Sequence, residues 1–287
     1  MADLRAALRR RPLVLDGGLG TLLEARGHDL GGRMWSARLL RDDPDAVRAA
    51  HAEFVDAGAD VIVTSSYQLA FDEGIDDDEV VALLRRSVRL AREAGAAFVA
   101  ASVGPFGAVR ADGSEYTGYD GIDLETLRRF HRRRLAVLAD AGADALAVET
   151  IPDRVEVTAL VRELEGLGRP DLPVWISLSG SSTALAGVEL ARGLDEAAAA
   201  PGIVAVGVNC CPPDLVAGAL AARPAGVAGV AYPNSGEVWD ARERVWTGSG
   251  GIPTESAREW ISAGARLVGG CCRTTPAHIR TLVDSSE

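Results

Sequence analysis

The tightest constraint in this 287-residue chain is a short phrase used twice intact and once altered. Asp56-Ala57-Gly58-Ala59-Asp60 leads into Val61-Ile62-Val63-Thr64, and Asp140-Ala141-Gly142-Ala143-Asp144 leads into Ala145-Leu146-Ala147-Val148. Ser262-Ala263-Gly264-Ala265-Arg266 leads into Leu267-Val268. Each time a helical pattern stops at glycine and an apolar run follows within a few residues. Glycine suits the left-handed residue that ends a helix, and so short a connection suits a helix-to-strand loop. The apolar runs are mostly continuous rather than alternating, as in parallel strands covered on both faces.

Eight such runs can be counted, at residues 13–16, 61–65, 97–103, 145–149, 174–179, 203–208, 226–232 and 266–270. Helical patterns lie between and after them, at 45–57, 78–94, 124–141, 154–167, 185–200, 214–222, 254–263 and 276–283. Eight strands each followed by a helix read as a (β/α)8 TIM barrel, an α/β fold that needs about 250 residues. Residues 1–287 are expected to form that one domain, since no linker or low-complexity segment divides them. A doubly wound open sheet is the alternative, but no G-x-G-x-x-G follows the first strand. Two connections are long: 104–123 after the third strand, rich in Gly, Asp and Tyr, and 233–253 after the seventh, holding Trp239 and Trp246. Both leave the C-terminal ends of strands, where barrel active sites are built, and are expected to be lids or substrate walls.

Hydrophobic residues make up 47% and charged residues 25% of the chain, an ordinary balance for a soluble globular protein. A net charge of −11 disfavours nucleic acid and anionic membrane as partners. The Arg-rich N-terminus lacks the apolar core of a secretory signal, and no apolar run has the ~18–20 residues of a membrane helix. The expectation is a cytoplasmic protein, a monomer or small homo-oligomer, acting on small molecules. All 30 basic residues are arginine. Without a lysine amine, Schiff-base aldolase and pyridoxal-phosphate chemistry are excluded.

In a barrel, polar residues at strand C-termini are the candidates for chemistry. Here they are Asp16 with Gly17-Gly18; Thr64-Ser65-Ser66-Tyr67; Glu149-Thr150; Asn209-Cys210-Cys211; Tyr232-Pro233-Asn234; and Cys271-Cys272. All 4 cysteines end the sixth or the eighth strand, which are second neighbours around a barrel. Three thiolates converging there would hold tetrahedral Zn²⁺ with its fourth position open, as in catalytic zinc sites. Cys271 and Cys272 must then both turn inward, which Gly269-Gly270 would permit. Of the other pair Cys210 is nearer the strand and is favoured as ligand, leaving Cys211 a bystander. A buried cysteine is more often a small hydrophobe, but four at strand ends beside glycine or asparagine point to a site. Disulfides do not suit a cytoplasmic chain of this size.

Asp16 before two glycines is equally a turn residue or a site residue. Glu149 ends an apolar strand and would bear a desolvation cost without a cation, which a substrate ammonium would supply. His28, His51, His131 and His278 fall in loop or helical stretches. Thr275-Pro276 reads as an N-cap and first helical residue.

Gly207-Val208-Asn209-Cys210 together with Gly269-Gly270-Cys271-Cys272 resembles the zinc signature of the homocysteine S-methyltransferase family. Asp16-Gly17-Gly18, Glu149-Thr150 and Tyr232-Pro233-Asn234-Ser235-Gly236-Glu237 match in the same order, so the resemblance spans nearly the whole chain. It implies a (β/α)8 barrel with zinc on Cys210, Cys271 and Cys272, and homocysteine bound to that zinc through sulfur. It further implies that Asp16 and Glu149 take the substrate ammonium, that backbone N–H groups near Gly17 and Ser66 hold its carboxylate, and that Asn209 orients the neighbouring ligand. No protein side chain beyond these is expected to act as catalyst, because the zinc-held thiolate is itself the nucleophile. The 232–237 motif resembles the branch that uses S-methylmethionine, with S-adenosylmethionine a second sulfonium donor. Tyr232, Glu237, Trp239 and Trp246 would then form a wall for that cation, unless the tryptophans only anchor their loop. Betaine or another onium donor, a zinc-dependent lyase or hydrolase, and a thiol-based sensor are the competing readings.

Overall fold

The computed structural model describes residues 3–30, 35–71, 74–110, 113–119, 121–179, 187–240, 245–248, 250–252 and 254–286. The repeated phrase does in space what its glycines imply. Gly58, Gly142 and Gly264 have φ of 96°, 84° and 97°, each just past the end of a helix: Pro44–Asp56, Leu124–Ala139 and Thr254–Ser262. The aspartate that closes the phrase has a second task. The Asp60 carboxylate accepts from the Val14 N–H at 2.9 Å, and that of Asp144 from the Val99 N–H at 2.8 Å. Each thus pins the start of its own strand to the neighbouring strand. The altered copy ends in Arg266, which donates instead to the Leu8 carbonyl of an N-terminal helix, Leu4–Arg10.

The strands are β1 (Leu13–Val14), β2 (Val61–Val63), β3 (Phe98–Val103), β4 (Ala145–Ile151), β5 (Val174–Ser179), β6 (Ile203–Asn209), β7 (Ala228–Tyr232), β8 (Val238–Asp240), β9 (Val245–Thr247) and β10 (Ala265–Val268). Eight of them form one sheet in the order β1-β10-β7-β6-β5-β4-β3-β2. Every pairing in that sheet is parallel, and a bridge from Leu15 to Val61 joins its two edges into a barrel. Each of the eight expected runs holds one strand. The sixth and eighth barrel strands, β6 and β10, flank β7 as second neighbours.

Burial on both faces explains the continuous apolar runs. Val14, Ile62, Val99, Val148, Ile176, Val206 and Val268 face the helices. Leu13, Leu15, Val61, Phe98, Trp175, Val230 and Leu267 fill the barrel. Leu4 and Leu8 join the inner cluster, so the N-terminal helix plugs the barrel below its strands. Sequence reasoning did not place that helix. Helix starts are set by aspartate: Asp3, Asp43, Asp76, Asp123 and Asp153 each accept from a first-turn N–H. The Thr275 hydroxyl accepts from the His278 N–H at 3.4 Å at the start of helix Pro276–Ser286, where an N-cap was expected.

The long connections are not shapeless. The one after β3 folds into helices Phe106–Arg110 and Ser114–Thr117. The one after β7 forms the antiparallel pair β8/β9, with Trp239 opposite Trp246 in register. The positions of those two indole side chains lie outside the described residues. The helix expected at 185–200 is described as Val188–Ala198. Among the described residues no helix is long and apolar enough to cross a membrane.

His51, on helix Pro44–Asp56, is fully buried and neither ring nitrogen has a hydrogen-bond partner. Burial pulls its pKa down to about 4. The unfolded chain therefore binds a proton here, near the unperturbed pKa of about 6.5, before the folded chain does, so this contribution to stability is lost as pH falls from 6.5 towards 4. Urea unfolding at pH 7 and pH 4.5 should show wild type losing about 2–3 kcal/mol more than His51→Leu between the two pH values. Equal losses in both proteins would contradict it.

Candidate metal centre and substrate cavity

The site begins where β6 and β10 stop. Cys210 follows β6 at φ 49°, a left-handed turn that is strained for a residue other than glycine. Its N–H donates to the Tyr232 carbonyl at 3.2 Å. Beyond β10, the Gly270 N–H donates to the Asp16 carbonyl and the Cys271 N–H to that of Pro233. Arg273 takes φ 62°, and the Thr274 N–H closes the turn onto the Cys271 carbonyl at 3.1 Å. The Sγ atoms of Cys210, Cys271 and Cys272 then lie within 4.8 Å of one another, and Cys210 and Cys272 are 3.7 Å apart. Cys211 packs instead into the apolar shell between barrel and helices.

The glycines work by a different route from the one expected. Neither Gly269 nor Gly270 takes positive φ; they provide room. A Cβ on Gly269 would stand 2.6 Å from the Leu15 Cβ, and one on Gly270 only 2.1 Å from the Thr274 methyl. Gly17 and Gly18 serve the same contact from the other side, since a Cβ there would meet the carbonyls of Thr274 and Cys271 at 2.4 and 2.6 Å. The left-handed turns fall on Cys210 and Arg273.

Three soft sulfur donors at one point suit a thiophilic divalent ion. As bare thiols they conflict. Hydrogen bonding with Cys210 and then Cys272 pushes the Cys271 pKa up, while the same kind of contact pulls that of Cys272 down. A cation would let all three ionise.

The cysteines line a cavity of about 400 Å³ together with Asp16, Glu149, Tyr67, Tyr116 and Tyr232. Glu149 sits at a bulge of β4, where Thr150 takes φ 61°. Asn209 holds that bulge: its Oδ1 accepts from the Thr150 N–H at 2.7 Å and its Nδ2 donates to the Thr150 hydroxyl at 2.7 Å. The Ser102 hydroxyl donates to Glu149, and Tyr232 also hydrogen-bonds to it. Ser177 lies 2.7 Å from both the Tyr232 hydroxyl and Asn209 Oδ1, and Trp175 Nε1 donates to Tyr232 at 3.1 Å. Asp16 accepts from the Val63 N–H at 3.0 Å. Among the described residues no cationic side chain pairs with Asp16 or Glu149. Burial pushes Glu149 up to about 7, and burial, with Glu149 adding to it, raises Asp16 well above the usual carboxylate range. Two buried carboxylates and three thiols make this a cavity for cations.

Asp16, Gly17, Glu149, Tyr232 and the three cysteines are therefore gathered around one space. Ser66 and Asn209 are not on its lining. The Ser66 hydroxyl donates to the Ser102 carbonyl at 2.8 Å, and Asn209 acts through Thr150. Glu237, expected in a cation wall, also lies off the cavity and binds Arg273.

Sequence reasoning missed the lid's main contribution. Helix Ser114–Thr117 brings the Tyr116 hydroxyl to 3.4 Å from Cys210 Sγ. The lid is fastened from outside by a fully buried cluster. Arg134 donates to the Gly104 carbonyl and to His131 Nδ1 at 2.9 Å, leaving His131 Nε2 to donate to Glu156 at 2.7 Å. Glu156 also accepts from the Phe106 N–H at 2.7 Å and the Tyr119 hydroxyl at 2.9 Å. Burial, and then the Arg134 charge, keep His131 neutral by pulling its pKa well down. A hint was available: of the chain's 4 tyrosines, three line the cavity and the fourth, Tyr119, holds its lid.

A barrel whose rim joins three thiols to two buried acids, with no cationic side chain on either among the described residues, is a site that could hold a soft metal beside a cationic group. Comparison with known proteins narrows the reading. The homocysteine S-methyltransferase family description matches residues 13–285, and the chain belongs to that family. It is 42% identical to homocysteine S-methyltransferase 4 of Zea mays, over 94% of this chain and 87% of that one. It is 38% identical to a selenocysteine Se-methyltransferase of Brassica oleracea var. italica, over 94% and 87% of the two chains. Among solved structures, the metallated form of the Escherichia coli homocysteine methyltransferase MmuM superposes with a TM-score of 0.86 at 37% identity, covering 99% of this chain and 100% of that one.

Proposed function

We propose that this protein transfers a methyl group from a sulfonium donor, S-methylmethionine or S-adenosylmethionine, to the sulfur of L-homocysteine, giving methionine. The observation that carries the reading is the convergence of Cys210, Cys271 and Cys272 on a cavity that also contains Asp16 and Glu149. The names of its relatives and the metallated state of the Escherichia coli protein support it.

Zinc held by the three cysteines would keep the substrate sulfur as a thiolate at neutral pH, where a free thiol is mostly protonated. Asp16 and Glu149 accept the substrate ammonium, which supplies the cation that neither has among the described residues. Ser102 and Tyr232 aim Glu149, and the Val63 N–H aims Asp16. The backbone at Gly17 and at Ser65, the lining neighbour of Ser66, is the proposed place for the substrate carboxylate. With the amino acid fixed at both ends, its sulfur is directed at the cysteines, and orientation of this kind supplies much of the rate. The acidic cavity draws in a positively charged donor. The substrate thiolate would take the methyl group as the donor's C–S bond breaks, the donor leaving as a neutral thioether. Zinc on Cys210, Cys271 and Cys272 would supply the charge that keeps the substrate sulfur ionised and would hold the neutral methionine sulfur less well. Betaine or another onium compound is the alternative donor. A hydrolase or lyase on the same barrel is the other alternative, and the methyltransferase names of the relatives speak against it.

Purified protein should contain about one zinc per chain. Cys272→Ala should lose both metal and turnover, while Cys211→Ala, altering a thiol that faces the shell, should keep both. Full activity in a metal-free sample would reject the mechanism. Glu149→Gln should raise KM for homocysteine about 10–100-fold at unchanged zinc content, the loss of one charge-assisted contact. In a panel of donors read out as methionine by mass, S-methylmethionine should outpace betaine; equal rates would overturn the choice of a sulfonium.

A further inference from the structure

The turn from Cys271 to Thr274 carries two of the three thiols, and a five-residue segment after β7 grips it. The Cys271 N–H donates to the Pro233 carbonyl at 2.7 Å, and the Ser235 N–H to the Cys272 carbonyl at 3.1 Å. The Cys272 N–H donates to the Asn234 side chain at 3.1 Å. The same segment reaches the other cysteine turn, where the Asn234 N–H donates to the Cys211 carbonyl at 2.9 Å. Residues 233–237 thus bond to both cysteine-bearing turns at once.

The segment ends at Glu237, whose carboxylate makes a bidentate pair with Arg273. Arg273 Nε donates to Glu237 Oε2 at 2.7 Å and a terminal nitrogen donates to Oε1 at 2.9 Å. The Ser235 hydroxyl donates to Oε2 at 2.9 Å. Arg273 directly follows Cys272 and holds φ 62° with its own N–H on the Thr21 hydroxyl at 3.0 Å. A non-glycine residue there is strained unless its surroundings hold it. The Glu237 side chain is 15% exposed and that of Arg273 34%, so the pair adds little to global stability. Its leverage is local, on the strained residue that directly follows Cys272.

We infer that Glu237 and Arg273 are positioning residues for the metal centre: their ion pair locks the Cys271–Thr274 turn against the segment after β7 and presets both thiols towards Cys210. The inference rests on the three-cysteine metal site proposed above. It reassigns Glu237 from a wall for the methyl donor to a brace for the ligands.

The test is the zinc dissociation constant of the full chain, measured by competition with a chromophoric chelator, for wild type, Glu237→Gln, Arg273→Met and the double variant. The thiolate charge-transfer band of the cobalt-substituted proteins is read alongside. Each single change should weaken zinc binding about tenfold, as loss of a group orienting a ligand does. The double variant should bind no more weakly than either single one, because the pair is broken once. The cobalt band should lose intensity in all three, while urea midpoints of the metal-free proteins should barely move. Glu237→Asp keeps the charge and should fall between wild type and Glu237→Gln, which keeps the test decisive where a harsher change unfolds the chain. Unchanged zinc affinity with a raised KM for the donor would overturn the inference and return Glu237 to the cation wall. Additive losses in the double variant would overturn it too. A wild type that binds no zinc would sink the three-cysteine site itself, whereas wild-type binding matched by every variant sinks only the brace.

Discussion

Parallel strands in a closed barrel all end at one rim, and the chemistry depends on that convergence. Cys210 and Cys272 are 62 residues apart in the chain, yet β6 and β10 deliver them to within 3.7 Å because only β7 stands between. The rim also shows how the convergence is stabilised. Cys210, Arg273 and Thr150 are the non-glycine residues with positive φ among those described, and all three lie where a strand gives way to the site. Such conformations cost about 1–3 kcal/mol each and persist where the surroundings over-determine them. Here Asn209 holds Thr150, the Tyr232 carbonyl holds Cys210, and Glu237 holds Arg273.

Charge is distributed with the same economy. Among the described residues no arginine lines the cavity, although the chain has 30 arginines. Arg134 is fully buried but faces carbonyls and a neutral histidine behind the lid. Among the described residues Asp16 and Glu149 thereby have no cationic side-chain partner, in a site that burial makes costly for them. Under the function proposed above, a substrate ammonium would relieve that cost, and part of its binding energy would come from a penalty built in when the chain folds.

The eight strands could be read from the amino-acid order because each is a short, mostly continuous apolar run bounded by turn residues, the pattern of a parallel strand covered on both faces. Polar elements were less legible. The helix Leu4–Arg10 shows only two buried side chains, too few to mark a periodicity, and it earns its place by closing the barrel bottom. The lid helices Phe106–Arg110 and Ser114–Thr117 are held by Glu156, His131 and Arg134 from other elements, so their own residues carry little of the signal. The Arg273 partner of Glu237 was not legible for the same reason: a carboxylate in a loop after a strand says nothing about which cation it will meet.

The amino-acid order by itself determined the alternation of strand and helix, the identity of the groups at the strand ends, and the absence of any lysine chemistry. Those are local properties of period, residue type and turn preference. Only the tertiary structure decided that Cys210 rather than Cys211 joins the other two thiols, that Asn209 works through Thr150, and that Gly17, Gly18, Gly269 and Gly270 exist for room. Each of these turns on a distance between residues remote in the chain, and such distances are set by barrel closure and packing, which no stretch of the chain specifies alone.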